Sequence, residues 1–173
     1  MFKLKSRRTF SFVALLAFIA LLAGCSSGSK YSSQDIMFAE MMIPHHEQAI
    51  EMSDIALSIS TNPEILKLAK EIKDAQGPEI ELMKSWPGVD ASTHMGHTMM
   101  GMLDDQEIEN LKNASGKEFD RLFLKGMIKH HEGAIGMAKM IDDSKNADVA
   151  KLGKTIIEAQ TAEIARMKSL LKS

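Results

Sequence analysis

Met42-Ile43-Pro44-His45-His46-Glu47-Gln48-Ala49-Ile50-Glu51-Met52 recurs 85 positions later as Met127-Ile128-Lys129-His130-His131-Glu132-Gly133-Ala134-Ile135-Gly136-Met137. Met-Ile, His-His-Glu, Ala-Ile and Met keep register, and four of the six histidines of the chain lie in these two copies. A second echo follows each: Gln76-Gly77-Pro78-Glu79-Ile80-Glu81-Leu82-Met83-Lys84 matches Gln160-Thr161-Ala162-Glu163-Ile164-Ala165-Arg166-Met167-Lys168 at a spacing of 84. The chain is a duplicated unit. Polar residues that recur inside apolar patterns need a structural or a chemical reason, and metal binding is the first candidate.

With His45 at zero on a helical wheel, Phe38, Met41, Met42, His46, Ala49, Ile50, Met52, Ala56 and Leu57 share one broad arc, opposite Glu40, Glu47, Gln48, Glu51 and Asp54. That pattern predicts an amphipathic helix. The same projection around His130 gathers Phe123, Met127, His131, Ala134, Ile135, Met137, Ala138 and Ile141, with Lys125, Glu132 and Lys139 outside. Pro44 lacks the N–H an interior helical residue donates, which predicts a kink or a helix restarting just before the histidines. In the second segments, Ile65, Leu68, Ala69, Ile72, Ala75, Gln76, Glu79, Ile80 and Met83 share one face. Val149, Leu152, Gly153, Ile156, Ala159, Gln160, Glu163, Ile164 and Met167 share the matching one. Asn62 and Asn146 are placed to cap these helices, with Pro63 in the first turn. Gly77-Pro78 is expected to bend or weaken the helix it interrupts.

An amphipathic hairpin cannot bury its apolar face alone. Two such hairpins packed together predict an all-α four-helix bundle, with the first hairpin over 34–86, a Met/His-rich crossover over 87–114 and the second hairpin over 115–171 of a domain running from 34 to 173. Asp104 to Asn113 reads as a short helix within the crossover. Aromatic residues are few, so Met, Leu, Ile and Ala must fill the core.

Residues 1–25 read as an address. Lys3, Lys5, Arg7 and Arg8 form a basic start, Phe10 to Ala23 is an almost unbroken apolar run, and Leu22-Ala23-Gly24-Cys25 closes it with small residues. This is the layout of a secretory signal, and its ending resembles the bacterial lipobox, whose cysteine becomes the lipidated first residue. Cys25 is the one cysteine, so no disulfide can form within the chain. Residues 26–33 are then a polar tether, and the protein is expected outside the cytoplasmic membrane, lipid-anchored on the cell surface or in the periplasm. Without the first 24 residues the chain carries 17 Lys+Arg against 23 Asp+Glu, a formal charge of −6. Such a body does not favour nucleic acid as a partner.

The candidate ligands follow from the wheel. Adjacent histidines point about 100° apart, so the two of a pair cannot enter one small site equally. His46 and His131 share a direction with Met42 and Met127, one turn earlier; His45 goes with Met41 and Met52, and His130 with Met137. Imidazole beside thioether is soft to borderline coordination chemistry that suits copper, Cu(I) above all, better than calcium or magnesium. Histidine with Glu79 or Glu163 would suit zinc or iron. Gln76 and Gln160 are expected as supporting hydrogen-bond donors behind the ligands or as partners between helices. Glu47 and Glu132 turn to solvent. In the crossover, His94, Met95, His97, Met99, Met100 and Met102 form an auxiliary soft-donor tract, which could equally be a linker capping the bundle.

The duplicated Met-Ile-x-His-His-Glu-x-Ala-Ile-x-Met motif, its Gln-x-x-Glu-Ile-x-x-Met partner and the stretch Glu118-Phe119-Asp120-Arg121-Leu122-Phe123-Leu124 resemble bacterial domain-of-unknown-function family three hundred and five, over nearly all of residues 34–171. The resemblance implies a ferritin-like four-helix fold, and the family includes a cyanobacterial periplasmic protein regarded as copper-binding. It also implies binding positions at His45, His46, His130 and His131, with nearby methionines.

These readings lead to an extracytoplasmic metal-binding protein that buffers, sequesters or hands on copper, with His46, His131, Met42 and Met127 as core ligands. His45, His130, Glu79 and Glu163 would be alternative or outer ones. A homo-oligomer or a metal-transfer partner protein stays open. One rival is a di-iron ferritin-like or hemerythrin-like oxidase or carrier; another is a helical bundle whose His/Glu/Gln set is only a buried polar network. No nucleophile with its base and no phosphate loop is present, so no catalysis is expected.

Overall fold

The computed structural model of the protein describes residues 30–93 and 99–172. The signal segment, Cys25, most of the tether and His94, Met95 and His97 lie outside the described residues. Five helices follow one another: α1 (Ser33–Ile59), α2 (Pro63–Lys84), α3 (Asp105–Asn113), α4 (Gly116–Ala138) and α5 (Ala147–Leu170). Among the described residues there is no strand, and no helix is long and apolar enough to cross a membrane.

Their starts are written in the sequence. Ser32 and Asp35 form a capping box on α1, and Asp104 and Glu107 form another on α3. Asn62 accepts from the Glu64 N–H at the head of α2, where Pro63 occupies the first turn; Asn146 does the same for Asp148 and Val149 at α5. Neither interior proline restarts its helix. α1 continues through Pro44 and α2 through Pro78, because a proline removes a single ladder bond while each helix is held along its length by its packed face.

α1 packs on α2, α4 on α5, and the two hairpins join through α1 against α4, with α3 lying against both. The interior is divided. One apolar cluster holds Met52, Leu68, Phe119, Phe123 and Met127; the other holds Phe38, Met42, Met83, Met137 and Ile156. The repeat exchanges them, since Met52 corresponds to Met137 and Met42 to Met127. A two-fold relation between the hairpins therefore passes through the level of the histidines. The wheel erred at its margins: Leu57 is 40% exposed, and Ala75 and Ala159 are exposed in both copies. These positions flank the buried arc, where the neighbouring helix no longer covers them.

Candidate metal centre

Between the two clusters lies a polar layer. His45, His46, His130 and His131 are all fully buried, 0% exposed, although an uncharged imidazole brings two polar nitrogens that need partners. The rings of His45 and His130 meet across the α1–α4 seam, centroids 3.7 Å apart and planes tilted by 39°. His46 turns the other way and its Nε2 lies 2.8 Å from Glu79 Oε2 on α2; His131 Nε2 lies 2.7 Å from Glu163 Oε2 on α5. Each hairpin thus carries one His–carboxylate bond between its helices, and the hairpins share a His–His contact.

The tautomers follow from the partners. His45 Nε2 lies 3.1 Å from the Met100 carbonyl oxygen, which can only accept, so that nitrogen carries the hydrogen. His46 and His131 likewise donate through Nε2 to carboxylates. The Nδ1 atoms of all four histidines and Nε2 of His130 are buried without a hydrogen-bond partner. A lone pair left at Nδ1 while Nε2–H is donated to a carboxylate or a carbonyl is the arrangement metal-binding imidazoles adopt. Burial first, then the neighbouring His46, lowers the His45 pKa from 6.5 to about 3, against a smaller upward pull from the Met100 carbonyl. Burial, followed by the imidazoles of His45, His131 and His46, holds His130 well below its usual value; the upward pull of the His45 carbonyl is the weakest influence there, and the contact falls short of a hydrogen bond. Both rings are neutral at pH 7, the form that ligates a metal.

Glu79 and Glu163 are partly exposed and act on the histidines as hydrogen-bond acceptors. Among the described residues, no three His, Cys, Asp or Glu side chains converge where they could hold one ion. Met42 and Met127, expected to share a site with His46 and His131, are fully buried but lie in different clusters, one on each side of the histidine layer. Met52 and Met137 are buried and split in the same way, and Met41 is half-buried. Gln76 is not an interhelical partner. Both of its amide atoms, and Gln160 Oε1, are buried without a hydrogen bond. Glu47 and Glu132 are exposed, as expected.

The crossover brings the Met100 carbonyl to this level, with Met99 packed on the second cluster, Met100 65% exposed and Met102 half-buried. One residue that holds the crossover there departs from its place on the wheel. Gln48 belongs to the polar arc by the wheel, yet its Nε2 donates to the Leu103 carbonyl and its Oε1 accepts the Leu103 N–H, both at 2.8 Å. An amide side chain can satisfy both backbone groups of one residue, which Glu or Lys cannot. The signal available was the mismatch between copies, Gln48 against Gly133.

The sequence matches the family model described as domain of unknown function DUF305 over residues 35–171. Three solved structures are similar over most of their length. A DUF305 fragment from Deinococcus radiodurans has a TM-score of 0.73 at 27% identity, covering 82% of this chain and 97% of its own. A putative secreted DUF305 protein from Streptomyces coelicolor has a TM-score of 0.72 at 32% identity, covering 81% and 93%. CopM in its Cu(II)-bound form has a TM-score of 0.70 at 37% identity, covering 80% and 95%. CopM is also similar in its Cu(I)-bound and silver-bound forms. The curated proteins include no match to this sequence.

Proposed function

The chain belongs to the DUF305 family, and from that premise we propose that it is an extracytoplasmic, non-catalytic binding protein for a soft metal ion, copper above all, which it buffers or hands on. The observation that carries this reading is the set of four buried imidazoles whose Nδ1 atoms have no partner while three of the Nε2 atoms are already held by Glu79, Glu163 and the Met100 carbonyl. Unpartnered buried nitrogens are costly, and a metal ion would satisfy them. Because no three hard or borderline side chains converge among the described residues, a closed tetrahedral site of the zinc kind is not preformed. Cu(I) and Ag(I) accept few ligands and favour thioethers, and Met52 and Met127 lie on one side of the layer with Met42 and Met137 on the other. The likeness to CopM, crystallised with Cu(I), Cu(II) and silver, supports the same choice of ion. The basic start, apolar run and Leu22-Ala23-Gly24-Cys25 ending support export and a lipid anchor at Cys25.

A di-iron centre draws carboxylates from all four helices, whereas among the described residues the carboxylates bonded to the layer are Glu79 and Glu163, and each already accepts from a histidine. Those two bonds do favour a second reading, a buried polar network that only fixes the packing of the hairpins. Titration of the purified protein with Ag(I) or Cu(I) against a competing chelator separates the two. Binding tighter than micromolar that is lost in the His46→Ala/His131→Ala variant is expected. No binding, together with a melting temperature indifferent to metal and lowered by Glu79→Gln or Glu163→Gln, would establish the network instead.

A further inference from the structure

The two copies of the motif differ where they need not if each served only its own hairpin. At a spacing of 85, Met41, Gln48 and Glu51 of α1 correspond to Gly126, Gly133 and Gly136 of α4. Glycine in a helix interior weakens it, so three within eleven residues call for a reason. All three face the end of the crossover. A Cβ on Gly126 would sit 3.0 Å from Leu103 Cδ2, and one on Gly136 would sit 3.2 Å from Met100 Cε. A Cβ on Gly133 would sit 1.9 Å from the Met100 carbonyl oxygen, a distance no atom pair tolerates. The crossover reciprocates with Gly101, at φ +88°, where a side chain would collide with the Lys129 carbonyl at 2.5 Å. From the other side Gln48 grips Leu103 by both backbone groups. The segment Met100–Leu103 is therefore laid into the α1–α4 seam by a dock cut into one copy and a clamp on the other. It lies on the seam where His45 meets His130, and its Met100 carbonyl occupies the only nitrogen of His45 that has a partner.

We propose that Met100–Leu103 is a displaceable strap over the histidine layer, docked on Gly126, Gly133 and Gly136 and latched by Gln48, and that it must lift before an ion reaches His45. The route for the ion rests on the metal-binding reading; the strap itself does not. Met100, whose side chain is mostly exposed while its carbonyl holds His45, places a thioether at the rim of this opening, where a soft cation would arrive first.

Two variants of the purified protein test the strap. Gly133→Ala puts a methyl where the Met100 carbonyl lies, and alanine is the better helix former, so α4 itself is not weakened. Gln48→Ala removes the latch. Two readouts are followed: carbethoxylation of each histidine, located by fragmentation mass spectrometry, and Ag(I) uptake in stopped flow. In both variants His45 is expected to react at least ~10-fold faster than in the wild type, with Ag(I) uptake accelerated, while His131, on the far side with Glu163, stays within about 2-fold; a tenfold change is 1.4 kcal/mol of opening free energy. Unchanged His45 reactivity in both variants overturns the proposal. So does equal acceleration of His131, which would mean a loosened bundle, or faster His45 modification with unaltered Ag(I) uptake, which would take the strap off the ion's route. If His45 is uncovered as expected but no variant nor the wild type takes Ag(I), the strap stands and the metal-binding reading falls.

Discussion

α1 and α4 are one helix written twice, and what they share differs in kind from what they do not. The shared positions are buried: Phe38 with Phe123, Met42 with Met127, His45 with His130, His46 with His131, Ala49 with Ala134, Met52 with Met137. Each hairpin repeats its His–Glu bond to within 0.1 Å, at 2.8 and 2.7 Å, and the surface repeats too, with Lys84 on Glu47 and Lys168 on Glu132. The unshared Gln48, Gly126, Gly133 and Gly136 lie along the seam where the single crossover runs. A duplicated chain has one copy of the segment that links its halves, so contacts with that segment must break the symmetry, and they do so at Gln48 and the glycines of α4. The lesson is that the histidine layer belongs to both hairpins, while access to it is governed from one side.

Acid is the strongest means of breaking the equivalence of the copies. His45 and His130 have folded-state pKa values below 6.5, so as the pH falls the unfolded chain takes up protons first. Stability is full above about pH 6.5 and is lost progressively on the way down towards pH 3, where His45 titrates in the folded protein. Both groups act in the same direction, so the loss steepens where both are protonated in the unfolded chain and neutral in the folded one. Denaturant unfolding of the metal-free protein at pH 7, 5.5 and 4.5 measures it. Either His45→Leu or His130→Leu is expected to make the slope shallower. At pH 7 the former is the more damaging, because it also strips the Met100 carbonyl of its partner whereas His130 has no hydrogen bond to lose. Equal slopes in wild type and variants would mean that neither ring is held neutral by burial.

The aromatic positions come next. Phe38→Ala and Phe123→Ala each open a cavity in one cluster and are expected to cost about 3–5 kcal/mol. Phe123 should cost more by roughly 0.5–1.5 kcal/mol, since it also stacks on Phe119 at 6.2 Å, and the first copy has Gln34 in that place. Equal costs would show that the stack contributes nothing. Glu79→Gln and Glu163→Gln should each cost about 1–3 kcal/mol and agree with one another, as the charge-assisted bond to a buried imidazole is weakened without opening a cavity. A gap above about 1 kcal/mol between them would break the two-fold reading of the layer.

The fold was legible because its signals are local. A 3.6-residue apolar period, Asn62 and Asn146 as caps and a register kept over both hairpins leave few ways to bury the apolar faces. The partnership of His46 with Glu79 and of His131 with Glu163 was half-legible. The repeat showed that Gln, Glu and His belong together, but a wheel cannot say that the carboxylate meets Nε2 and leaves Nδ1 bare. The expected meeting of Met42 with Met127 failed on direction: α1 and α4 run antiparallel through the layer, so residues one turn before each histidine depart to opposite sides. Gln48 falls opposite the apolar arc because a wheel sees one helix and not the segment laid across it. The glycines of α4 are the legible trace of the crossover in the sequence, since a mismatch in a repeat is where an unduplicated contact shows itself.

The smallest effect tests whether the symmetry of the surface matters at all. Glu47 and Glu132 follow their histidine pairs directly, yet each reaches out to a lysine at the end of the neighbouring helix, 2.8 Å to Lys84 and 3.1 Å to Lys168, with all four side chains about half exposed. Their repetition invites a functional reading, but ion pairs in water gain little over solvated charges. Glu47→Gln and Glu132→Gln should therefore each change stability by no more than about 1 kcal/mol and leave Ag(I) affinity untouched, with the small stability effect shrinking further in high salt. A loss of ion binding in either variant would put the trailing glutamate of His-His-Glu among the groups that reach the metal, and would require that helix to turn on binding.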